Sequence, residues 1–201
     1  MIIKHSGFVP DIEKSAFVAP TAAVCGKVRI GNNSRIMHGA SVISEGGTIE
    51  IGENCIVLEN AVLRSTGKHN LKIGNNVLIG PNAHVAGCTV EDNVFVATGA
   101  SIFHGSRLCK NSEVRINGVV HVKSVLPENA TVPIGWVAVG DPVKILPPDK
   151  HEEIWAIQKQ MNFPLFVYGV ERKESGESIM PEITEMMSIA LEKHMNDEVI
   201  G

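Results

Sequence analysis

Six side chains in the middle of the chain have the chemical types needed for acid–base or binding chemistry. They are three histidines, two glutamates and an arginine: His38, Glu45, Glu59, Arg64, His84 and His104. A neutral imidazole acts as a general base when it lies within reach of the proton it removes. A guanidinium holds a carboxylate or phosphate through two parallel hydrogen bonds. These types therefore fit a small-molecule site, provided that the fold brings them together.

A six-residue repeat predicts that fold. Aliphatic residues recur at nearly every sixth position from Val18 to Val132, with two short interruptions, and a small residue stands four positions after most of them. An amphipathic helix repeats at three and four residues and a strand at two, so the pattern fits neither. It indicates short strands joined by corners, where Gly and Asn adopt positive φ. Three hexads close one triangular coil, and stacked coils form a parallel β-helix.

The repeat also predicts which side chains stack. Hexads that begin at residues 36, 57, 79, 96 and 114 share one side of the prism, and those at 42, 63, 85, 102 and 120 share the next. His38 and Glu59 then align on the first of these sides, and Arg64 lies on the second. His84 lies near the corner between them, Glu45 lies in the first interruption, and the last histidine lies one coil further along. One groove is therefore expected to contain all six.

Three interpretations of this groove remain open. In the first, Glu45 or Glu59 pairs with Arg64 across a subunit interface and the site has no chemistry. In the second, the groove binds a small molecule: His84 and Glu59 are catalytic, and the substrate-binding residues are Arg64, Glu45, His38 and His104. In the third, His38, His84, His104 and a glutamate form a rearranged metal site, although no two of them have close ligand spacing.

Composition excludes several partners. The 201 residues carry a net charge of −4 without a basic block, which argues against nucleic acid or anionic membrane as partners. No apolar run is long enough to span a bilayer, and the first residues lack a secretory pattern, so we expect a cytoplasmic protein. Four cysteines without a CxxC pair predict small core residues or free thiols in a reducing compartment: Cys25, Cys55, Cys88 and Cys109.

Two segments are predicted. Residues 1–148 form the β-helix, which the pair Pro147–Pro148 ends. Residues 149–201 form a helical segment that packs on the β-helix or on a neighbouring subunit, with helices near 150–161 and 181–195 and a crossing loop between them. Five further histidines are expected on the surface or away from the centre of the coil stack: His5, His69, His121, His151 and His194.

The segments "IGENCIVLENAVLR" and "WVAVGDPVKIL" resemble γ-class carbonic anhydrases of the hexapeptide-repeat superfamily. The resemblance implies a left-handed β-helix, a homotrimer, and a zinc ion held between subunits by three histidines. The family's three ligand positions correspond here to Arg64, Pro81 and Ala86, and the family's arginine corresponds to Ile43. A guanidinium stays protonated and cannot ligate zinc, so we expect no metal at this position.

These observations predict a γ-carbonic-anhydrase-like protein without CO₂ hydratase activity, which binds a small molecule at the subunit groove of a trimer. The alternative is a CoA-dependent acyltransferase with His84 or His104 as base and acetyl-CoA as cofactor, because many hexapeptide proteins have that activity. A purely structural subunit would need no site. The sequence identifies no substrate.

Overall fold

A computed structural model describes residues 1–173 and 176–201 of the chain. Three stacks of short parallel strands form the three faces of a prism, so the parallel β-helix predicted from the six-residue repeat is confirmed. Each coil contributes one strand of two to five residues to each face. The hexad stacking is confirmed too, since Leu63 lies in register between Val42 and Val85.

The first face is a ten-stranded sheet. Its strands, in sheet order, are Lys144–Leu146, Val137–Val139, Val119–Val120, Ser101–Ile102, His84–Ala86, Val62–Thr66, Ser41–Glu45, Ala23–Cys25, Ile2–Lys4 and Glu198–Val199. The strand at each end pairs antiparallel with its neighbour, and the others are parallel. Because the two interruptions of the repeat lengthen Ser41–Glu45 and Val62–Thr66, this face is widest there.

The other two faces have seven strands each. The second consists of Asp11–Ile12, Val28–Ile30, Ile49–Ile51, Leu71–Ile73, Thr89–Val90, Arg107–Leu108 and Val125–Leu126. The third consists of Phe17–Val18, Arg35–Ile36, Ile56–Val57, Leu78–Ile79, Phe95–Val96, Glu113–Val114 and Thr131–Val132. Every one of these pairings is parallel, as a continuously wound coil requires.

The core is the inside of the prism. Repeat aliphatics such as Leu63, Ile79 and Ile102 are fully buried, and the small residues of the repeat, such as Ala61 and Ala100, lie between them. Asparagines occupy many corners with φ near +60°, the conformation that Asn tolerates better than most residues. At one corner the side-chain amides of Asn76, Asn93 and Asn111 each donate to the side-chain oxygen of the asparagine in the next coil over 3.1 to 3.2 Å, and Asn129 accepts the last of these bonds.

The C-terminal segment contains three α-helices: α1 (His151–Met161), α2 (Phe163–Tyr168) and α3 (Met180–Leu191). A 3₁₀ helix follows at Glu192–Asn196. The crossing loop predicted between two helices is therefore partly wrong, because α2 lies within it: Asn162 ends α1 in the left-handed conformation and Pro164 begins a new turn. Residues 174 and 175 of that predicted loop lie outside the described residues. The division at residue 148 stays a prediction.

The chain ends on the coil where it began. Glu198–Val199 pairs antiparallel with Ile2–Lys4, and the Ile200 amide donates to the Ile2 carbonyl over 2.8 Å. The residues after α3 are thereby held against the first face. In the described residues, none of the helices combines the length and the apolar character that crossing a membrane requires.

Candidate functional site

A cavity of about 810 Å³ lies between the first face and the C-terminal segment. The coils contribute Glu45, Arg64, His84 and His104 to its wall. The opposite wall is largely apolar and comes from the helical segment: Val167, Met186, Met187, Ala190 and Leu191. The cavity is thus formed within a single chain, between the outer face of a sheet and helices that cover it.

Strand alternation explains why polar side chains reach this cavity. Leu63 points into the prism, so its neighbour Arg64 points out of the same strand. The same alternation turns His84 outward before the buried Val85. Glu45 is the last residue of the adjacent lengthened strand and pairs in register with Thr66, two residues beyond Arg64. The first interruption of the repeat therefore places the Glu45 carboxylate beside Arg64.

Arg64 and Glu45 begin a chain of charged contacts. The Arg64 Nη2 lies 3.2 Å from the Glu45 Oε1, and the same oxygen lies 2.9 Å from the His194 Nε2. The Arg64 side chain is 32% exposed, whereas that of Glu45 is 14% exposed. The guanidinium is therefore held on one side by a carboxylate and remains accessible from the cavity.

Two imidazoles of the cavity favour the neutral form. Burial lowers the pKa of His84, and the nearby Arg64 charge lowers it further. The pKa of His104 falls to about 4, because of burial first and then the neighbouring His69, His84 and Arg64. In the described residues, the buried Nδ1 of His104 has no hydrogen-bond partner. Both rings are therefore neutral at neutral pH and can accept a hydrogen bond from a bound molecule, and a pKa of about 4 makes His104 the weaker base.

The charges of the cavity wall favour an anion. Arg64, Lys68 and Lys193 contribute three positive charges, and Glu45 contributes one negative charge. Next to them, the side of α3 that lines the cavity is apolar. This combination fits a small molecule with an anionic head and a short apolar portion.

Four of the six predicted site residues line the cavity, namely Glu45, Arg64, His84 and His104. The other two lie elsewhere. The His38 Nδ1 lies 2.9 Å from the Thr21 hydroxyl, and Glu59 is a turn residue after the strand Ile56–Val57 on the third face. Within this chain they are at the corner of the third face, so the structure does not bring them to His84.

Sequence reasoning missed the contribution of both chain ends. His5 is 4% exposed and Cys25 is 3% exposed, and both lie beside His194 and Asp197 of the tail. The surface position predicted for His121 is wrong, because that ring is 8% exposed and packs against Phe163 of α2. No periodicity continues into the tail, so only the return of Glu198–Val199 to the first coil could have revealed these contacts.

Comparison with known proteins gives a consistent picture. The family of bacterial transferase hexapeptide repeats matches residues 70–104. "Gamma carbonic anhydrase 1, mitochondrial" of Arabidopsis thaliana is 31% identical over 199 residues, which cover 94% of this chain and 68% of the relative. "Gamma carbonic anhydrase 2, mitochondrial" of the same plant is 30% identical over 176 residues, covering 84% of this chain and 61% of the relative.

Among solved structures, an acetyltransferase-like protein of Bacillus cereus superposes with a TM-score of 0.54 at 20% identity. The match covers 78% of this chain and 90% of that one. At this identity the similarity concerns the fold alone.

Proposed function

Because the chain belongs to the γ carbonic anhydrase family, we propose that it is a member whose family zinc position has been replaced and whose cavity binds a small carboxylate with a short apolar chain. The observation that carries this proposal is the position of the Arg64 side chain. Its guanidinium lies in the cavity wall at the position where the resemblance places the family's first zinc ligand, with the apolar side of α3 opposite.

The residues at the family zinc position do not fit a zinc ion. Arg64 keeps a positive charge and pairs with Glu45. Pro81 and Ala86 have no side-chain atom that could ligate a metal, and Ala86 is fully buried. Catalytic zinc needs three protein ligands and one open position for water. We therefore propose that the protein is not a CO₂ hydratase.

In the proposed complex, Arg64 binds the carboxylate head of the ligand through two parallel hydrogen bonds. Lys68 and Lys193 add positive charge, and Met186, Met187 and Leu191 contact the apolar portion. Methionine side chains suit this role because they adapt to differently shaped ligands. His84 lies beside Arg64 in its neutral form and is the proposed base if the bound molecule reacts.

The test is a calorimetric titration of tag-free protein with hexanoate as the probe and hexan-1-ol as the uncharged control. We expect hexanoate to bind once per chain and hexan-1-ol to bind much more weakly. Hydrogen bonds to a charged group contribute about 1.5–3 kcal/mol, so Arg64→Gln should weaken hexanoate binding by at least about tenfold. Arg107→Gln, which removes an exposed arginine outside the cavity, is the matched control.

Either of two results would overturn the proposal. One is the absence of hexanoate binding to the wild-type protein. The other is Arg64→Gln protein that binds hexanoate as tightly as the wild-type protein does.

A second candidate function is acyl transfer from acetyl-CoA. The observation that favours it is the pair of neutral imidazoles, His84 and His104, in the wall of the cavity. A rise in the thermal midpoint with acetyl-CoA that is lost in His84→Ala would support this function. No rise in the wild-type protein would exclude it in favour of the first proposal.

A cytoplasmic location stays a prediction, because the two Arabidopsis relatives are named as mitochondrial. We also propose that the protein forms a homotrimer. The outward residues of the third face support the trimer. Ile56, Leu78 and Phe95 lie in register there, and Phe17 lies near the end of the same face. The second face presents charged residues instead, such as Glu50, Lys72 and Arg107.

A further inference from the structure

Four side chains with metal-binding atoms meet where the two chain ends join the first face. They are His5, Cys25, His194 and Asp197, and one potential ligand atom of each lies within 4.8 Å of those of the other three. In the described residues they are the only group of three or more such side chains close enough to share an ion. They lie outside the positions that correspond to the family's zinc ligands.

The fold accounts for this convergence. Lys4 pairs with Glu198 at the end of the antiparallel ladder, which brings together the residues just outside it, His5 after Lys4 and Asp197 before Glu198. The His5 Nδ1 lies 2.6 Å from the Asp197 Oδ1, and the His194 Nδ1 lies 2.7 Å from the Asp197 Oδ2. The Cys25 Sγ lies 3.8 Å from the same Oδ2. Both imidazole rings stack with their centroids 4.2 Å apart.

We propose that these four side chains bind a zinc ion. Zinc takes four ligands in a tetrahedron from cysteine sulfur, histidine nitrogen and carboxylate oxygen. Bonds of ordinary length set neighbouring ligand atoms roughly 3.3–3.8 Å apart. Zinc would therefore replace the two short hydrogen bonds to Asp197 and move those atoms apart by less than about 1.5 Å. The ligands bind deprotonated, so the displaced protons pass to solvent.

The surroundings of the two histidines are those of metal ligands. A histidine bound to zinc usually donates its other ring N–H to a carboxylate or another oxygen, which fixes the ring. With both Nδ1 atoms on the ion, the His194 Nε2 can donate to Glu45 at 2.9 Å and the His5 Nε2 to the Ser6 hydroxyl at 3.1 Å. Each imidazole already has the second contact that zinc ligation uses.

The chemistry of the site is structural. Four protein ligands leave no open position for water, so the zinc would not activate a nucleophile. It would instead join residues from both ends of the chain to the coil strand that carries Cys25. Through His194 and Glu45 it also reaches Arg64, so the ion would help to hold the tail over the cavity.

Cobalt titration tests the proposal, since tetrahedral Co²⁺ with a thiolate ligand gives a near-ultraviolet charge-transfer band. Tag-free protein is stripped with a chelator and titrated with Co²⁺, and zinc is then added. We expect one Co²⁺ per chain, the thiolate band, and displacement of cobalt by zinc. Cys25→Ser should lose the band, whereas Cys109→Ser should keep it.

Two more variants separate ligand from neighbour. Glu45→Gln should lower zinc affinity by about 10–100-fold, as is typical for a residue that orients a metal ligand. His194→Ala removes a ligand itself and should lower zinc affinity more. His151→Ala is the control for a histidine outside the cluster. If Cys25→Ser does not fold, the zinc affinity of Glu45→Gln and the thiolate band of the wild-type protein still test the proposed zinc site. No thiolate band in the wild-type protein, or the same band in Cys25→Ser, would overturn the proposal.

Discussion

At the scale of single residues, Arg64 decides what the outer surface of the first face can bind. An imidazole can share its lone pair with a metal ion, whereas a guanidinium is a permanent cation with five donors. The guanidinium is balanced by Glu45 at 3.2 Å, which in turn contacts His194. The position therefore favours an anion, and its charge adds to burial in lowering the pKa values of His84 and His104.

His104 should make the protein sensitive to acid. Its pKa is about 4 in the folded chain and about 6.5 when unfolded, so the unfolded state binds more protons between these values. Stability is present above the unfolded pKa and falls as pH decreases toward 4. From pH 7 to pH 5 this histidine alone should lower the free energy of unfolding by about 2 kcal/mol.

Urea unfolding at pH 7 and pH 5, at one protein concentration, measures this effect. In His104→Gln the loss of stability between the two pH values should be smaller by about that amount. His151→Gln, on the exposed start of α1, should leave the loss unchanged. An equal acid sensitivity in His104→Gln and the wild-type protein would contradict the account of this residue.

At the scale of elements, the repeat made the coils predictable and left the tail unpredictable. The inward direction of Leu63 and the outward direction of Arg64 follow from the period, because each hexad repeats one local geometry. Four of the six site residues could therefore be placed in one cavity from the sequence alone. Within this chain His38 and Glu59 do not line that cavity, because stacking arithmetic gives a residue's side of the prism but not the bounds of a groove; their place in a groove between subunits stays a prediction.

The tail follows no such rule. Its helices were foreseen in part, but the pairing of Glu198–Val199 with Ile2–Lys4 joins residues from opposite ends of the sequence. Such a contact depends on where the whole segment packs and leaves no local pattern. The apolar wall of the cavity and the cluster around Asp197 were missed for the same reason.

The backbone contact of Ile200 should hold the tail in place. Ile200→Pro removes the amide that donates to the Ile2 carbonyl. A typical hydrogen bond contributes about 1 kcal/mol, so the opening of α3 and the following 3₁₀ helix should become roughly fivefold more frequent. Amide hydrogen exchange measured by mass spectrometry reports this opening.

Ile200→Ala is the matched control, since it shortens the side chain and keeps the amide. Exchange in the coils should be the same in both variants. Equal exchange rates of α3 in Ile200→Pro and Ile200→Ala would show that the terminal strand does not restrain the helix.

At the scale of the whole molecule, the three faces of the prism have different surroundings. The tail covers part of the first face, and charged residues such as Lys72 cover the second. The third presents Ile56, Leu78 and Phe95 in one outward row between Arg35 and Glu113, and Phe17 lies beyond Arg35; all three of Phe17, Ile56 and Phe95 are exposed in the single chain. An apolar stripe of this kind marks a surface that pairs with another chain, and threefold closure would cover it in every copy.

Phe95→Asp should therefore break the trimer. Light scattering of the wild-type protein should give three times the 21.6 kDa of one chain, and the variant should give a smaller mass. Lys72→Asp introduces the same side chain on the second face and should leave the mass unchanged. A wild-type monomer would remove the third face as an interface.

The central claim is that this chain keeps the fold of its family but not the metal position that carries the family's reaction. Stopped-flow measurement of CO₂ hydration, with zinc-loaded and tag-free protein, tests it most directly. We expect a rate equal to that of buffer with the same free zinc, because Arg64, Pro81 and Ala86 provide no ligand and the proposed zinc cluster has no open position. Rapid hydration that rises in proportion to protein concentration would contradict the claim.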